Sequence, residues 1–296
     1  MCEVSRIRIL TLVIAILSIQ GVAYAQLSVE NEFFLIELVG HEGYPRYEAE
    51  LRITDKKSAV EEKLVIEARI KTTQDLFFVQ PNKVLLTGTL PRGGTIMALV
   101  QVDSVRLLDV LWMYEHAFSP TREFLIYQTH VPRMGPPAFR QSILLLYDFR
   151  KMPEENRTGS VTSLTQENAG IPVFPETNWK LGSYYVAEEA QHVFLSDFLW
   201  SPQGDRVVFL DFWTRNKQNY FTVIDLTEGL ENLQLFLRAI NLAEITTDEV
   251  PEAKMPYKLA VRELEWTSPE AHLVRVVPYG QRWLKESFLL EVRSVE

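Results

Sequence analysis

Arginine occurs at equivalent points along this chain and is the residue type best placed to do chemistry. Three arginines each lie 14 residues after a turn serine: Ser119 to Arg133, Ser201 to Arg215 and Ser268 to Arg282. Arg92 occupies the corresponding turn of an earlier segment. A guanidinium offers a planar fork of donors that suits carboxylate and phosphate groups. If the segments surround one axis, Arg92, Arg133, Arg215 and Arg282 form a partial ring that binds such a partner; otherwise each pairs with a neighbouring acid or is solvated.

Acidic residues recur in step with these arginines, one at the end of the third strand predicted in each segment. They are Asp103, Asp148, Asp225 and Glu291. Aspartate beside a turn commonly accepts hydrogen bonds from turn backbone NH groups. We therefore expect these acids to close turns rather than to act as paired catalytic carboxylates.

Motifs for metal binding, cofactor binding and catalysis are missing from the sequence. The five histidines, His41, His116, His130, His192 and His272, are scattered singly, whereas a metal needs several converging ligands. There is no Gly-x-Ser-x-Gly nucleophile elbow, no Gly-x-x-x-x-Gly-Lys phosphate loop and no His-Glu-x-x-His pair. We predict no metal, no cofactor and no identifiable catalytic residue.

The elements that carry these residues are weak copies of one stretch, residues 198–213 continued by 220–225. That stretch predicts a strand, a Pro-Gln-Gly-Asp turn, a strand, a polar turn and a further strand. The copies begin at Asp75, and a proline opens the first turn of each: Pro81, Pro120, Pro202 and Pro269. The prolines are 39, 82 and 67 residues apart, and about 40 residues make one four-stranded propeller blade. The sequence therefore predicts an all-β, β-propeller-like repeat with at least four recognisable units, and the spacing allows five or six blades.

The motif Trp200-Ser201-Pro202-Gln203-Gly204-Asp205 resembles the blade repeat of TolB-type β-propellers, which also forms the propellers of prolyl-oligopeptidase-like enzymes. The resemblance covers residues 75–296 in four patches. Thr121-Arg122 and Glu270-Ala271 replace the usual Asp/Asn-Gly pair in two of them, which leaves the blade number and ring closure open. The resemblance implies a binding platform, a role in which propellers serve many partners. It also implies that Trp200, Ser201 and Pro202 build the blade.

Residues 26–74 predict divergent N-terminal strands. Around Ser58 the pattern allows either a helix opened by a capping box or a hairpin that turns at 55–57, and the hairpin is favoured. Between 151 and 191 lies either one degenerate blade or an insertion. Its first part, 151–170, is rich in small and polar residues and predicts an exposed loop.

A second irregular segment, 227–256, separates the last two copies. Leu230, Leu233, Phe236, Leu237 and Ile240 follow helical spacing after a capping Thr227. This pattern predicts one short helix over 228–242, and an acidic linker follows at 246–256.

The first 25 residues have the pattern of a secretory signal peptide. Arg6 and Arg8 precede an apolar run, and Ala23-Tyr24-Ala25 forms a small-x-small cleavage site, so we expect cleavage after Ala25. The single cysteine, Cys2, lies within that signal, which predicts a mature chain without disulfides. The signal predicts a periplasmic or secreted protein, without a transmembrane segment once the signal is removed.

The charge pattern restricts the partners. The formal net charge is −9, and no run of lysine and arginine stands out to displace counterions from a nucleic acid. We therefore predict no nucleic-acid partner. The leading hypothesis is an exported, non-catalytic binding or scaffold module that presents turns and loops to a protein or cell-envelope ligand. The alternative is a periplasmic hydrolase or lyase whose site is built from blade loops.

Overall fold

The computed structural model describes residues 27–42, 47–91, 93–130, 142–151, 171–174, 192–213, 216–247, 259–268, 272–280 and 282–292. The predicted signal peptide, 1–25, and nearly all of the predicted loop 151–170 lie outside these residues. Within the described part, no helix has the length and apolar composition needed to cross a bilayer.

The strands within these residues form five antiparallel sheets, which we number as blades 1 to 5 in chain order. Blade 1 contains β1 (Ser28–Glu30), β2 (Phe34–Glu42), β3 (Glu48–Asp55) and β4 (Val60–Ile66). Blade 2 contains β5 (Thr72–Gln80), β6 (Lys83–Thr89), β7 (Thr95–Gln101) and β8 (Arg106–Met113). Blade 3 contains β9 (His116–Phe118), β10 (Phe124–His130), β11 (Ser142–Asp148) and β12 (Ile171–Phe174). In these three blades each strand pairs with the one before it.

The last two blades depart from this four-strand pattern. Blade 4 contains β13 (His192–Phe194), β14 (Leu199–Trp200), β15 (Arg206–Trp213), β16 (Gln218–Asp225) and β17 (Gln234–Ala239). Strands β13 and β14 both pair with β15, so they are two pieces of one interrupted first strand. Blade 5 contains β18 (Val261–Trp266), β19 (Leu273–Pro278) and β20 (Phe288–Glu291). The repeat of four-stranded sheets predicted from the sequence is confirmed.

First strands of neighbouring blades contact each other at two of the junctions, between blades 1 and 2 and between blades 3 and 4. Contacts join β1 to β5 and β9 to β14, whereas the outer strand β8 contacts β4 and β10. Because consecutive strands are antiparallel, their turns alternate between the two ends of each blade. We call the end with the first and third turns the turn face. The opposite end, which has the second turn and the link to the next blade, is the cleft face.

Four hydrophobic clusters hold the five blades together, one at each junction between consecutive blades. The central strands explain this arrangement, because both faces of β6 and of β7 are buried almost throughout. Such strands read as nearly continuous apolar runs, as sheets covered on both faces require. Among the described residues, no hydrophobic cluster joins blade 5 to blade 1.

The prediction of a helix over 228–242 is wrong. Residues 234–239 instead form β17, which pairs with β16 from Asp225↔Gln234 to Tyr220↔Ala239 and completes blade 4. Within residues 228–245, helical backbone is confined to a 3-10 turn at Leu230–Asn232 and the short helix α1 (Leu242–Ile245). The apolar spacing suited a helix, but pairing with an existing strand edge satisfies the backbone along the whole segment.

Two alternatives left open by the sequence are decided within the described residues. The segment around Ser58 is a hairpin, with β3 and β4 joined by a turn in which Asp55 Oδ1 accepts hydrogen bonds from the NH groups of Lys57 and Ser58. These backbone hydrogen bonds are the main reason that the Asp55 pKa is lowered. Between 151 and 191, the described residues supply only β12, the outer strand of blade 3. The remainder of that segment lies outside the described residues.

Candidate functional site

The Ser-Pro motif of blade 4 builds a turn. Ser201 is buried, and its Oγ donates to Asp205 Oδ1 at 2.6 Å and accepts from the NH groups of Asp205 and Arg206. Gly204 has φ 75°, and a Cβ there would lie 3.4 Å from Pro120 of the neighbouring turn in blade 3. Ser119 of that turn also accepts a hydrogen bond, from Phe124 NH at 3.1 Å. These residues therefore shape the blades.

The tryptophans that end two first strands link neighbouring blades. Trp266 Nε1 donates to the Trp200 carbonyl at 2.9 Å, and Trp200 Nε1 donates to the Ala117 carbonyl at 3.0 Å. Each bond crosses from one blade to the preceding one, near the turn face. The two bonds fix the first strands of blades 3, 4 and 5 against each other at that end.

Two of the predicted closing acids accept hydrogen bonds from turn backbone as expected. Asp148 accepts from Arg150 NH at 2.9 Å, and Asp225 accepts from Thr227 NH at 2.8 Å. Asp103 instead accepts from the side-chain amides of Asn82 and Gln101. The fourth acid, Glu291, has an exposed side chain.

Asp225 shows why these acids stabilise their turns. Burial by itself raises its pKa, but hydrogen bonds from Thr227 and from Arg206, whose Nε lies 3.0 Å from Oδ2, outweigh burial and lower the pKa below 3.8. The negative charge is therefore stabilised in the fold.

A buried lysine was not singled out from the sequence. Lys83, in β6, is 2% exposed, and its Nζ donates to the Phe149 carbonyl of blade 3 at 2.7 Å. Burial lowers the pKa of this amine, although the nearby Asp148 carboxylate opposes the shift. Asp148 in turn forms a two-point ion pair with Arg150, which stacks over Phe124. No sequence pattern distinguishes Lys83 from a surface lysine, because its burial depends on its contact with the next blade.

One of the four recurrent arginines lies within the described residues. Arg92, Arg133 and Arg215 lie outside the described residues. Arg282 is exposed and lies in the segment between β19 and β20, at the cleft face. The partial arginine ring therefore stays a prediction. For the histidines, no group of three or more His, Cys, Asp and Glu side chains could hold a metal within the described ranges.

An open cleft of about 570 Å³ lies between the first strands of blades 4 and 5, and sequence reasoning missed it. One wall is the start of β18, from Val261 to Leu264, and the other is residues 194–199 of blade 4. Glu115 of blade 3 and Tyr279, which follows β19, complete the lining. The volume lies within the range of ligand pockets in proteins.

The blade 4 wall of the cleft is an interruption of the first strand. The NH of Leu195 still donates to the Leu210 carbonyl of β15, as in regular strand pairing. The NH of Leu210, however, donates to the Ser196 Oγ at 2.9 Å. Strand pairing resumes only at Leu199. A serine hydroxyl thus replaces a main-chain partner and leaves 196–198 out of the sheet.

Charged side chains line the cleft. The acids are Glu115, Asp197 and Glu263, and Arg262 is the only basic residue among the described lining residues. All four side chains are exposed. Among the described residues, the carboxylates of Glu115 and Asp197 have no hydrogen-bond or ion-pair partner, and Glu263 interacts with Arg275 only through its charge. With three acids and one arginine, the cleft therefore offers an excess of negative charge to a ligand.

No protein-family model matches the chain, and no curated protein matches it. Several solved structures are similar at low identity. The β-propeller domain of the trilobed protease from Pyrococcus furiosus is 10% identical with a TM-score of 0.37, and the match covers 88% of this chain and 64% of that one. TolB from Acinetobacter baumannii is 12% identical with a TM-score of 0.27, covering 87% and 54%. Prolyl oligopeptidase B from Galerina marginata is 9% identical with a TM-score of 0.41, covering 83% and 32%. The chain thus spans less than two thirds of the length of each of these proteins.

Proposed function

We propose that this chain is an exported, propeller-like binding or scaffold module that receives a protein ligand in the cleft between blades 4 and 5. The observation that carries the proposal is the cleft itself, an open 570 Å³ site whose carboxylates Glu115 and Asp197 are not engaged by the described residues. By contrast, Ser201, Asp148 and Asp225 have structural hydrogen bonds within their own turns. The turn residues thus serve the fold, whereas the cleft carboxylates are available to a ligand, and this contrast supports a binding function through loop surfaces.

The position of the cleft supports a partner rather than a buried small molecule. Its lining comes from three blades, and Tyr279 at its edge is 58% exposed. Exposed aromatic side chains beside polar groups are common at protein interfaces. The recurrent arginines Arg92, Arg133, Arg215 and Arg282 are proposed to contribute donors to the same face, where a partner carboxylate or phosphate would contact them. Export to the periplasm or the medium rests on the predicted signal peptide.

The test is affinity capture of a partner by the tagged mature chain from cell-envelope extracts, with a charge-reversed variant beside it. The variant carries Glu115→Lys, Asp197→Lys and Glu263→Lys. The matched control carries Glu32→Lys, Glu228→Lys and Glu231→Lys, which change the same charge at exposed positions of the turn face.

We expect a partner in a stoichiometric amount with the wild type and the control, and at least about tenfold less with the cleft variant, because reversed charge repels a complementary surface. Equal recovery by both variants would contradict binding at the cleft. Turnover of a small substrate by the mature chain, with no partner recovered, would favour the hydrolase or lyase alternative.

A further inference from the structure

The cleft exposes the main chain of two first strands. Strand β18 pairs with β19 on one side, and no described strand pairs with its other side. Opposite it, residues 196–198 lie between β13 and β14 and outside the sheet. Unpaired strand edges present NH and carbonyl groups that can pair with another chain. The walls of the cleft are therefore suited to an extended peptide.

The two walls separate toward the cleft face. At the turn face, the Trp266 indole holds the end of β18 against the Trp200 carbonyl. At the other end, Val261 and Leu264 line the open cleft. The β18 strand contains no proline or glycine, although its pairing with β19 is irregular between Val261 and Glu263. From Glu263 to Trp266 the pairing of β18 with β19 is regular, so the irregularity is confined to the start of the strand, where the cleft opens.

The side chains along this edge select the kind of segment that fits. Phe194, Leu195 and Val261, which are half-buried, contribute an apolar part of the lining, whereas Asp197 and Glu263 contribute negative charge. Successive side chains of an extended segment point in opposite directions. A ligand that alternates apolar and basic residues would place one set on the apolar part and the other near the carboxylates.

We infer that the ligand of this cleft is an extended protein segment, rich in lysine or arginine alternating with apolar residues, that adds as a strand to the inner edge of β18. This inference rests on the proposed binding function and specifies the class of partner. The main-chain hydrogen bonds would supply affinity, and the acids Glu115, Asp197 and Glu263 would supply the preference for basic side chains.

The experiment measures binding of short fluorescent peptides to the mature chain by anisotropy. The probes are an alternating Lys-Val peptide, its Glu-Val counterpart, and a Lys-Val peptide with alternate backbone nitrogens methylated on one edge. We expect saturable binding of the Lys-Val peptide and at least about tenfold weaker binding of the other two, since one reverses the charge and the other removes backbone donors. Higher salt should weaken the Lys-Val complex.

A neutralised variant provides the control for the site. Glu115→Gln, Asp197→Asn and Glu263→Gln together should weaken Lys-Val binding by about tenfold, whereas Glu32→Gln, Glu228→Gln and Glu231→Gln together should leave it unchanged. Hydrogen exchange should show that the Lys-Val peptide protects amides of 261–266. Protection confined to another blade would place the peptide elsewhere and contradict the inference.

Two further outcomes overturn the inference, and the capture experiment then shows separately whether the proposed function also fails. One is the absence of saturable Lys-Val binding up to about 1 mM, and the other is equal binding of all three peptides. If the cleft variant still loses its envelope partner in affinity capture, the cleft is a binding site for a ligand of different chemistry. If capture is also unaffected, both the inference and the proposed function fail.

Discussion

The junction between blades 3 and 4 and the outward face of blade 1 differ in how they are stabilised. At the junction, Phe209 of blade 4 is fully buried in one apolar cluster with Ile126 and Leu144 of blade 3. On the outward face of blade 1, Arg52 forms ion pairs with Glu37 and Glu61 on the neighbouring strands. Apolar contact thus joins blades, and paired charge covers the end of the run.

Blade 5 repeats the pattern of blade 1 at the other end. Its outward face carries the ion pair between Arg275 and Glu265, together with the exposed Leu273 and Leu289. Terminal units of repeat proteins need a polar outer face for solubility because no neighbour covers them. Among the described residues, no hydrophobic cluster covers either of these two faces, so the stability of the described blades should depend far more on the junctions than on these faces.

The largest expected effect is at a junction. Replacing Phe209→Ala removes a buried ring and leaves a cavity between blades 3 and 4, which should reduce the free energy of unfolding by about 3–5 kcal/mol. Urea unfolding followed by tryptophan fluorescence measures it. The matched control is Leu289→Ala on the outward face of blade 5, where the side chain is 55% exposed and the change should stay within about 0.5 kcal/mol. Similar losses for both variants would contradict the comparison.

An intermediate effect is expected at a closing acid. Asp225→Asn removes the charge that accepts hydrogen bonds from Thr227 and Arg206, and should cost about 1–2 kcal/mol at neutral pH. Because the folded pKa lies below 3.8, Asp225 contributes stability that is present above that value and lost as the pH falls through the folded pKa. The difference between variant and wild type should therefore shrink in acid.

Urea unfolding at a series of pH values tests this dependence. The exposed Glu228→Gln provides a neutralised control that should follow the wild-type curve. A constant difference between Asp225→Asn and the wild type down to acid pH would show that the charge of Asp225 is not what stabilises the turn.

The smallest effect is expected on the end face of blade 1. Arg52→Met keeps most of the side-chain stem but removes both ion pairs, and should cost about 0–1 kcal/mol because ion pairs at a partly solvent-exposed face are screened and contribute little. Comparing unfolding at low and high salt separates the charge contribution, which should decrease as salt rises. A loss as large as that of Phe209→Ala would mean that this face packs against another part of the molecule.

Much of the fold was predictable because strand-turn-strand copies are local patterns. The turns at Ser119 and Ser201 and the hairpin after Asp55 followed from short-range chemistry, since glycine, proline and small polar residues set backbone turns. Blade 1 was the least legible unit, yet it is a complete four-stranded sheet. The error at 234–239 shows the limit of local patterns, because apolar spacing that suits a helix can also serve a strand when a partner edge exists.

The candidate site was not predictable in the same way. The cleft is lined by Glu115, Asp197, Glu263 and Tyr279, which belong to three blades and share no motif. Each cleft acid is a single acidic residue in a strand or loop. Such residues are common, so none of them indicates a site by itself. The recurrent arginines could be found in the sequence because they repeat at equivalent positions of the segments. Arg282 is the one member among the described residues.

The sequence by itself determined the repeat, the all-β class and the turns that carry Ser-Pro motifs, because each depends on residues close together in the chain. Only the tertiary structure decided that Lys83 is a buried link between blades, that β17 completes blade 4 and that the cleft acids converge. These features depend on contacts between residues far apart in sequence, whose geometry follows from how whole blades pack.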